Sequence, residues 1–360
     1  MIDRILLFPY TLTLALRNAW YKGGRHSVRA DVPTLCVGNL SAGGTGKTPL
    51  TEYIVRTLLA EEEGASRRIA VLSRGYRRRS RGFQSVPPDG SARFYGDEPV
   101  QIASKFPQVS VAVDRNRVEG CRRLTEGDGA AGVIVLDDAF QYRRLSCDLN
   151  ILLMDYGRPV FKDRLLPLGR LRDLPSRVGD ADVIVVTKCP SWLDEWEKGK
   201  WAAALGLSGF STSSCKGRRR DGREQTLLFS MLEYDALAPV FPEGDARYTY
   251  AQRLILFSGI ADDAPLRRHL SDKYKLVKIF RFGDHHRFTR CDIRRIDSAS
   301  KASPTAIVAT TEKDACRLAD VKKIPERLRE RIFRVPVRIR FLTPEEEGVF
   351  AATLRAALQR

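Results

Sequence analysis

The sequence predicts an α/β fold, a doubly wound, mostly parallel sheet with a smaller second α/β domain. Three observations point there. A glycine-rich turn, Ser41-Ala42-Gly43-Gly44-Thr45-Gly46-Lys47-Thr48, lies between a strand and a helix; short apolar runs alternate with helical stretches; and one such run ends in paired carboxylates, Asp137-Asp138. The turn follows the apolar segment 33–37 and precedes an amphipathic stretch, 49–63. Backbone N–H groups of such a turn, with the positive end of the helix behind them, surround crowded negative charge. Gly43, Gly44, Thr45 and Gly46 would therefore cradle phosphates, with Lys47 reaching the β- and γ-phosphates and Thr48 a Mg²⁺ ion. The loop is a variant of G-x-x-x-x-G-K-[ST], because Ser41 stands where the first glycine is expected. With its strand and helix it makes the fold P-loop NTPase-like.

The remaining strands are read from near-continuous apolar runs, as expected where both faces of a parallel sheet are covered. They are 68–73, 109–113, 132–136, 149–154 and 182–187. Residues 216–223 turn basic and glycine-containing, which marks a boundary. Beyond it lie the apolar segments 254–257, 276–280 and 306–309 and a final helix over 344–358. The predicted organisation is a helix over 1–22, a nucleotide-binding domain over 23–222, and a smaller domain over 223–360 whose last helix is free to pack back on the first.

Residues 5–16 are largely apolar and are followed by Arg17, Trp20, Tyr21, Lys22 and Arg25. A spanning helix needs about 20 apolar residues; a shorter apolar stretch edged by aromatic and basic residues suits a helix lying in a membrane interface. At 360 residues the chain has room for two cores, and a hydrophobic fraction of 43% argues for a folded protein. The net charge of +17 attracts anions, whether nucleotides, lipid headgroups or nucleic acid. No zinc spacing, RNA-binding aromatic signature or DNA-reading helix accompanies it, so a nucleic-acid partner is not expected. Seven cysteines without a C-x-x-C pair fit a reducing cytoplasm.

Val133-Ile134-Val135-Leu136-Asp137-Asp138 has the form of a Walker B strand. Ligands of open α/β sheets gather at the carboxyl ends of strands, where a carboxylate can hold Mg²⁺ or its water shell. Thr311-Glu312-Lys313-Asp314 is only a faint likeness of a guanine-reading motif, lacking its asparagine, and GTP is not inferred from it.

Taken in order, the motifs resemble one family closely, the tetraacyldisaccharide 4′-kinases of lipid A synthesis in Gram-negative bacteria. They are Val37-Gly38-Asn39-Leu40 with Gly43-Gly44-Thr45-Gly46-Lys47-Thr48-Pro49, Ser73-Arg74-Gly75-Tyr76, Gly96-Asp97-Glu98-Pro99 and Leu136-Asp137-Asp138-Ala139-Phe140-Gln141. Further on come Leu166-Pro167-Leu168-Gly169-Arg170-Leu171-Arg172, Phe257-Ser258-Gly259-Ile260-Ala261, Asp284-His285-His286-Arg287-Phe288-Thr289 and Thr310-Thr311-Glu312-Lys313-Asp314. Ala139 and Tyr142 depart from the family's Asp-Asp-Gly-Phe-Gln-His.

The resemblance implies phosphorylation, by ATP and Mg²⁺, of the 4′-hydroxyl of an acylated glucosamine disaccharide 1-phosphate. It implies work at an anionic membrane surface, the cytoplasmic face of the inner membrane, by a peripheral or monotopic protein. It selects Asp97 as base and His285 as the residue that orients or tunes it; without it, Asp97 would read as a helix cap. Thr48, Asp137, Asp138 and Gln141 become the expected metal-site residues, with Glu98 and His286 as secondary candidates. The alternative is a P-loop GTPase or partner-regulated ATPase at the membrane, which needs no lipid acceptor.

Overall fold

The computed structural model describes residues 2–24, 26–61 and 67–359. Arg25, the last two residues of the stretch expected helical over 49–63, and the side chains of residues 5 and 6 lie outside the described residues.

In chain order the first unit comprises α1 (Ile2–Trp20), β1 (Thr34–Asn39), α2 (Lys47–Glu61), β2 (Ile69–Ser73), β3 (Gln84–Ser85), α3 (Ala92–Tyr95), α4 (Asp97–Lys105), β4 (Ser110–Val113) and α5 (Arg117–Leu124). It continues with β5 (Val133–Asp137), β6 (Leu149–Asp155), β7 (Val183–Thr187), α6 (Glu195–Ala204), β8 (Ser208–Ser211), β9 (Lys216–Arg218) and β10 (Glu224–Tyr234). The second unit holds β11 (Ala238–Pro239), β12 (Arg253–Ser258), α7 (Ala264–Ser271), β13 (Lys275–Arg281), α8 (Arg290–Ala302), β14 (Ile307–Thr311), α9 (Glu312–Ala319), α10 (Glu326–Arg329) and β15 (Ile332–Val335). The chain then returns to the first unit as β16 (Val337–Phe341) and α11 (Pro344–Leu358).

The first sheet runs β3-β4-β2-β5-β1-β6-β7-β10-β9-β8, with β16 paired to β10. From β4 to β10 every pairing is parallel. Every residue of β1, β2, β5 and β7 is buried, which is why these strands read as unbroken apolar runs. Successive β1 side chains face opposite layers: Leu35 and Val37 join Leu50, Ile54 and Phe350, whereas Cys36 joins Leu136, Leu152 and Leu14 of α1. The chain winds outward from β1 in both directions, so the carboxyl ends of β1 and its neighbours border the crevice where a doubly wound sheet binds ligands. The expected doubly wound α/β architecture is borne out.

The boundary expected at 222/223 is corrected by the strand pairing. Residues 216–223 belong to a hairpin, with β9 antiparallel to β10, and Thr226–Phe229 of β10 lie parallel to β7 inside the first sheet. The 11-residue β10 does two things: its first half extends the large sheet and its second half, Ser230–Tyr234, pairs with β16. A basic, glycine-bearing turn marks a hairpin as readily as a linker, and the sequence does not separate the two. The second sheet, β11-β15-β14-β12-β13, is parallel except for β11.

Helix α1 docks by one face. Leu14 is buried and Leu7 packs on the same layer, while Arg17 and Asn18 bond to Asp173 at 2.7 and 3.0 Å. Phe8, Leu12, Leu16 and Trp20, spaced four apart, remain exposed on it. Among the described residues no helix is long and apolar enough to cross a membrane.

Candidate active site

The phosphate loop is shaped by its glycines and tied at three points. Gly43 and Gly46 have φ of 113° and 86°, a region open to glycine and costly for other residues. The Asn39 amide donates to Thr45 Oγ1 at 2.7 Å, Thr187 Oγ1 donates to the Thr45 carbonyl at 2.8 Å, and the Ala42 N–H reaches the Arg170 carbonyl at 2.7 Å. The end of β7 and the 166–172 segment thus hold the loop from both sides. Helix α2 starts at Lys47, so its unpaired N–H groups face the space above the loop.

Register puts Val37, at the mouth of the loop, beside Asp137 at the end of β5. Asp137 is fully buried; its Oδ1 accepts from Thr51 Oγ1 at 3.2 Å and its Oδ2 has no hydrogen-bond partner among the described residues. Burial, reinforced by the Glu98 and Asp138 carboxylates, pushes its carboxyl up to about 7 against the pull of Lys47 and Lys313. Asp138 differs. Burial opposes its charge, but Lys47, 3.6 Å away, and a two-pronged Arg172 at 2.9 and 3.2 Å outweigh that and hold its carboxyl well below the usual range. Gln141 donates its amide to the Asn39 carbonyl.

A buried carboxylate oxygen with no partner, next to a buried Thr48 and a phosphate loop, fits a hard divalent cation. Thr48 and Asp137 are the residues free to hold it; Asp138 and Gln141 are engaged elsewhere. Among the described residues no three His, Cys, Asp or Glu side chains are grouped as a metal cage.

The second cluster spans the two units. Asp97 is the first residue of α4, capped by Gly96, so it is not the cap itself. Its buried Oδ2 meets His285 Nδ1 at 3.0 Å and Arg317 Nε and Nη2 at 2.9 and 2.5 Å. Burial works against the Asp97 charge, but the His285 bond and the Arg317 and Lys313 charges hold its carboxyl well below the usual range. His285 sits at φ 57°, its N–H fixed to the Gly259 carbonyl at 3.0 Å and its ring beside Tyr76 at 5.2 Å. A cavity of about 540 Å³ opens here, lined by Arg77 and residues 283–287. Lys313 joins the clusters: it pairs with Glu98, and its charge bears on both Asp97 and Asp137.

His286 is turned to other work. Its Nε2 meets Asp292 Oδ2 at 3.0 Å and its ring stacks on Phe282, so it buttresses the start of α8. Asp314 likewise braces rather than reads a base, accepting from the Gly259 N–H, Thr311 Oγ1 and Arg317.

The family described as tetraacyldisaccharide-1-P 4′-kinase, LpxK, matches residues 4–359. The chain belongs to that family. Relatives named tetraacyldisaccharide 4′-kinase include one from Parabacteroides distasonis, 39% identical over 94% of this chain and 90% of its own length, and one from Phocaeicola vulgatus, 37% identical over 92% and 88%. Among solved structures, the "apo" form of LpxK from Aquifex aeolicus in complex with ATP superposes with a TM-score of 0.70 at 27% identity, covering 99% of this chain and 100% of that one. The likeness covers both units.

Asp137 gives this kinase a pH signature without turnover. Its folded carboxyl titrates at about 7, above its unfolded value, so its contribution to stability is present in acid and lost as pH rises through 7. Asp137→Asn cannot ionise; the ligand-free variant should therefore melt at increasingly higher temperature than wild type from about pH 4 upward, with the gap complete above pH 7. Mg²⁺ should raise the wild-type melting temperature at pH 8 and leave the variant nearly unmoved. A gap independent of pH, or equal Mg²⁺ shifts, would return Asp137 to a purely structural role.

Proposed function

We propose that this chain transfers the γ-phosphate of ATP to the 4′-hydroxyl of a tetraacylated glucosamine disaccharide 1-phosphate, as a peripheral protein on the cytoplasmic face of the inner membrane. The carrying observation is the Asp97–His285 pair, supplied by different units and linked through Lys313 to the carboxylate beside the phosphate loop. A nucleotide hydrolase needs no base opposite its phosphate loop on a second unit. A kinase acting on an alcohol does, because the hydroxyl must be aligned and lose its proton as transfer proceeds.

In this reading the loop N–H groups and Lys47 hold the phosphates, and Thr48 and Asp137 hold Mg²⁺. Bound there, the ion would supply positive charge against the phosphates. The sequence suggested Asp97 as base and His285 as its tuner; the geometry supports the reverse. Asp97 Oδ2 is saturated by His285 and Arg317 and its carboxyl has little affinity for a proton. It is therefore suited to fix the imidazole through Nδ1, leaving Nε2 to take the hydroxyl proton.

Purified protein should phosphorylate the acylated disaccharide 1-phosphate in detergent with ATP and far less with GTP; nucleotide turnover indifferent to the acceptor would sink the kinase reading. The exposed stripe of α1 supports the membrane placement. Burying a leucine is worth roughly 1.5–3 kcal/mol, so Leu12→Glu with Leu16→Glu should cut binding to vesicles by at least about tenfold. Activity on vesicle-borne acceptor should fall with it and activity in detergent should hold. Undiminished vesicle binding would leave α1 as a docked helix only.

A further inference from the structure

A cavity of about 810 Å³ lies outside the reaction cleft, in the wedge between edge strand β13 and helix α8. Its helix wall is the stripe Cys291, Arg294, Arg295, Ser298 and Ala299, residues on one α-helical face. The buried face of α8, with Ile293 and Ile296, packs on the sheet instead. The strand wall contributes Lys278 and Arg281 around Ile279 and Phe280. Four cations thus line the wedge and no carboxylate does. Arg281 has a carboxylate nearby, Asp263 at 3.4 Å, whereas among the described residues Lys278, Arg294 and Arg295 pair with none; Lys278 and Arg295 lie over the Phe280 ring. Like charges brought together without counter-ions repel, and an anion placed among them removes that cost.

The wedge neighbours the reaction site along the chain. Phe282 lines it, and the next residues, 283–287, line the cavity beside His285. An open wedge of unpaired guanidinium and ammonium groups, with the 37%-exposed Ile279 at its lip, matches a headgroup phosphate with the start of its acyl chain beyond it.

We propose that the β13–α8 wedge binds the phosphate of an anionic phospholipid, giving the second unit its own contact with the bilayer. This rests on the membrane reading above and adds a second, electrostatic attachment to the apolar one on α1. Each cation near an anionic surface adds to the attraction. Full-length protein carrying Lys278→Gln, Arg294→Gln and Arg295→Gln should then bind phosphatidylcholine vesicles containing phosphatidylglycerol at least about tenfold more weakly than wild type. The difference should vanish at high salt. Vesicles of phosphatidylcholine alone should not distinguish the two proteins, and Arg294→Lys with Arg295→Lys, which keeps the charge, should bind as wild type does.

Equal binding of the Gln variant and wild type to anionic vesicles overturns the proposal. So does loss of binding by the Lys variant, since charge would not then be the reason. A third outcome also overturns it: saturable binding of inorganic phosphate that the Gln substitutions abolish, with vesicle binding unchanged, would make the wedge a site for a soluble phosphate compound. Acceptor-dependent transfer in detergent, measured on the same preparations, keeps the two readings apart. Its absence in wild type would count against the kinase reading, whereas full transfer with unaltered vesicle binding would count against the wedge alone.

Discussion

Asp97→Asn and His285→Gln should each lower acceptor-dependent turnover by about 10²–10⁴-fold, the usual contribution of a positioned proton acceptor, and the double variant should be little worse than the poorer single one. The two side chains share one hydrogen bond at 3.0 Å, so removing either leaves the other without its purpose. Asparagine is preferred to alanine at Asp97 because it keeps an oxygen for Nε and Nη2 of the buried Arg317, whose Nη1 alone is held by Asp314 and the Gly259 carbonyl. Near-normal turnover in either single variant would remove that residue from the chemistry; strict additivity would leave both important and dissolve the pair.

Lys47→Ala should reduce turnover by about 10²–10³-fold, comparable to deleting one preorganised group that stabilises charge in the transition state, and should weaken ATP binding as well. Folding should be nearly untouched. The Lys47–Asp138 contact is loose at 3.6 Å, and Asp138 keeps both bonds to Arg172. Phosphoryl transfer at saturating ATP, nucleotide affinity and a melting curve check the three statements separately. A variant that transfers phosphate normally would mean that the helix N-terminus and loop suffice without the ammonium.

What could be read from the sequence followed from how local each feature is. The phosphate loop and the Asp137 strand end are contiguous motifs, and the central strands announce themselves because both faces are covered. The assignment of β10 to the first sheet was not legible, since its partners are β7 and the distant β16. At the site, sequence alone left Arg317 unnoticed; it meets Asp97 across 220 positions of chain. A signal existed, because Arg317 falls one helical turn after Lys313 in the helix that follows Thr310-Thr311-Glu312. Arg172 stands in the sequence only as the end of a motif, and its bond to Asp138 gives it a role, restraining a carboxylate next to the loop. His286 illustrates the converse: a motif position beside His285 whose side chain serves the helix that follows.

The return of the chain through β16 and α11 also bears on how the protein is made. Ile339, Phe341, Phe350 and Leu354 are fully or nearly buried in the same layer as Leu35, Leu50 and Val135, although more than 200 residues of translation separate the two groups. During synthesis the nucleotide-binding sheet therefore waits with part of one face uncovered while the whole second unit, 235–336, leaves the ribosome and is free to fold. The later-synthesised unit can close first, and the earlier one stays open to chaperones and proteases until its own last strand and helix arrive.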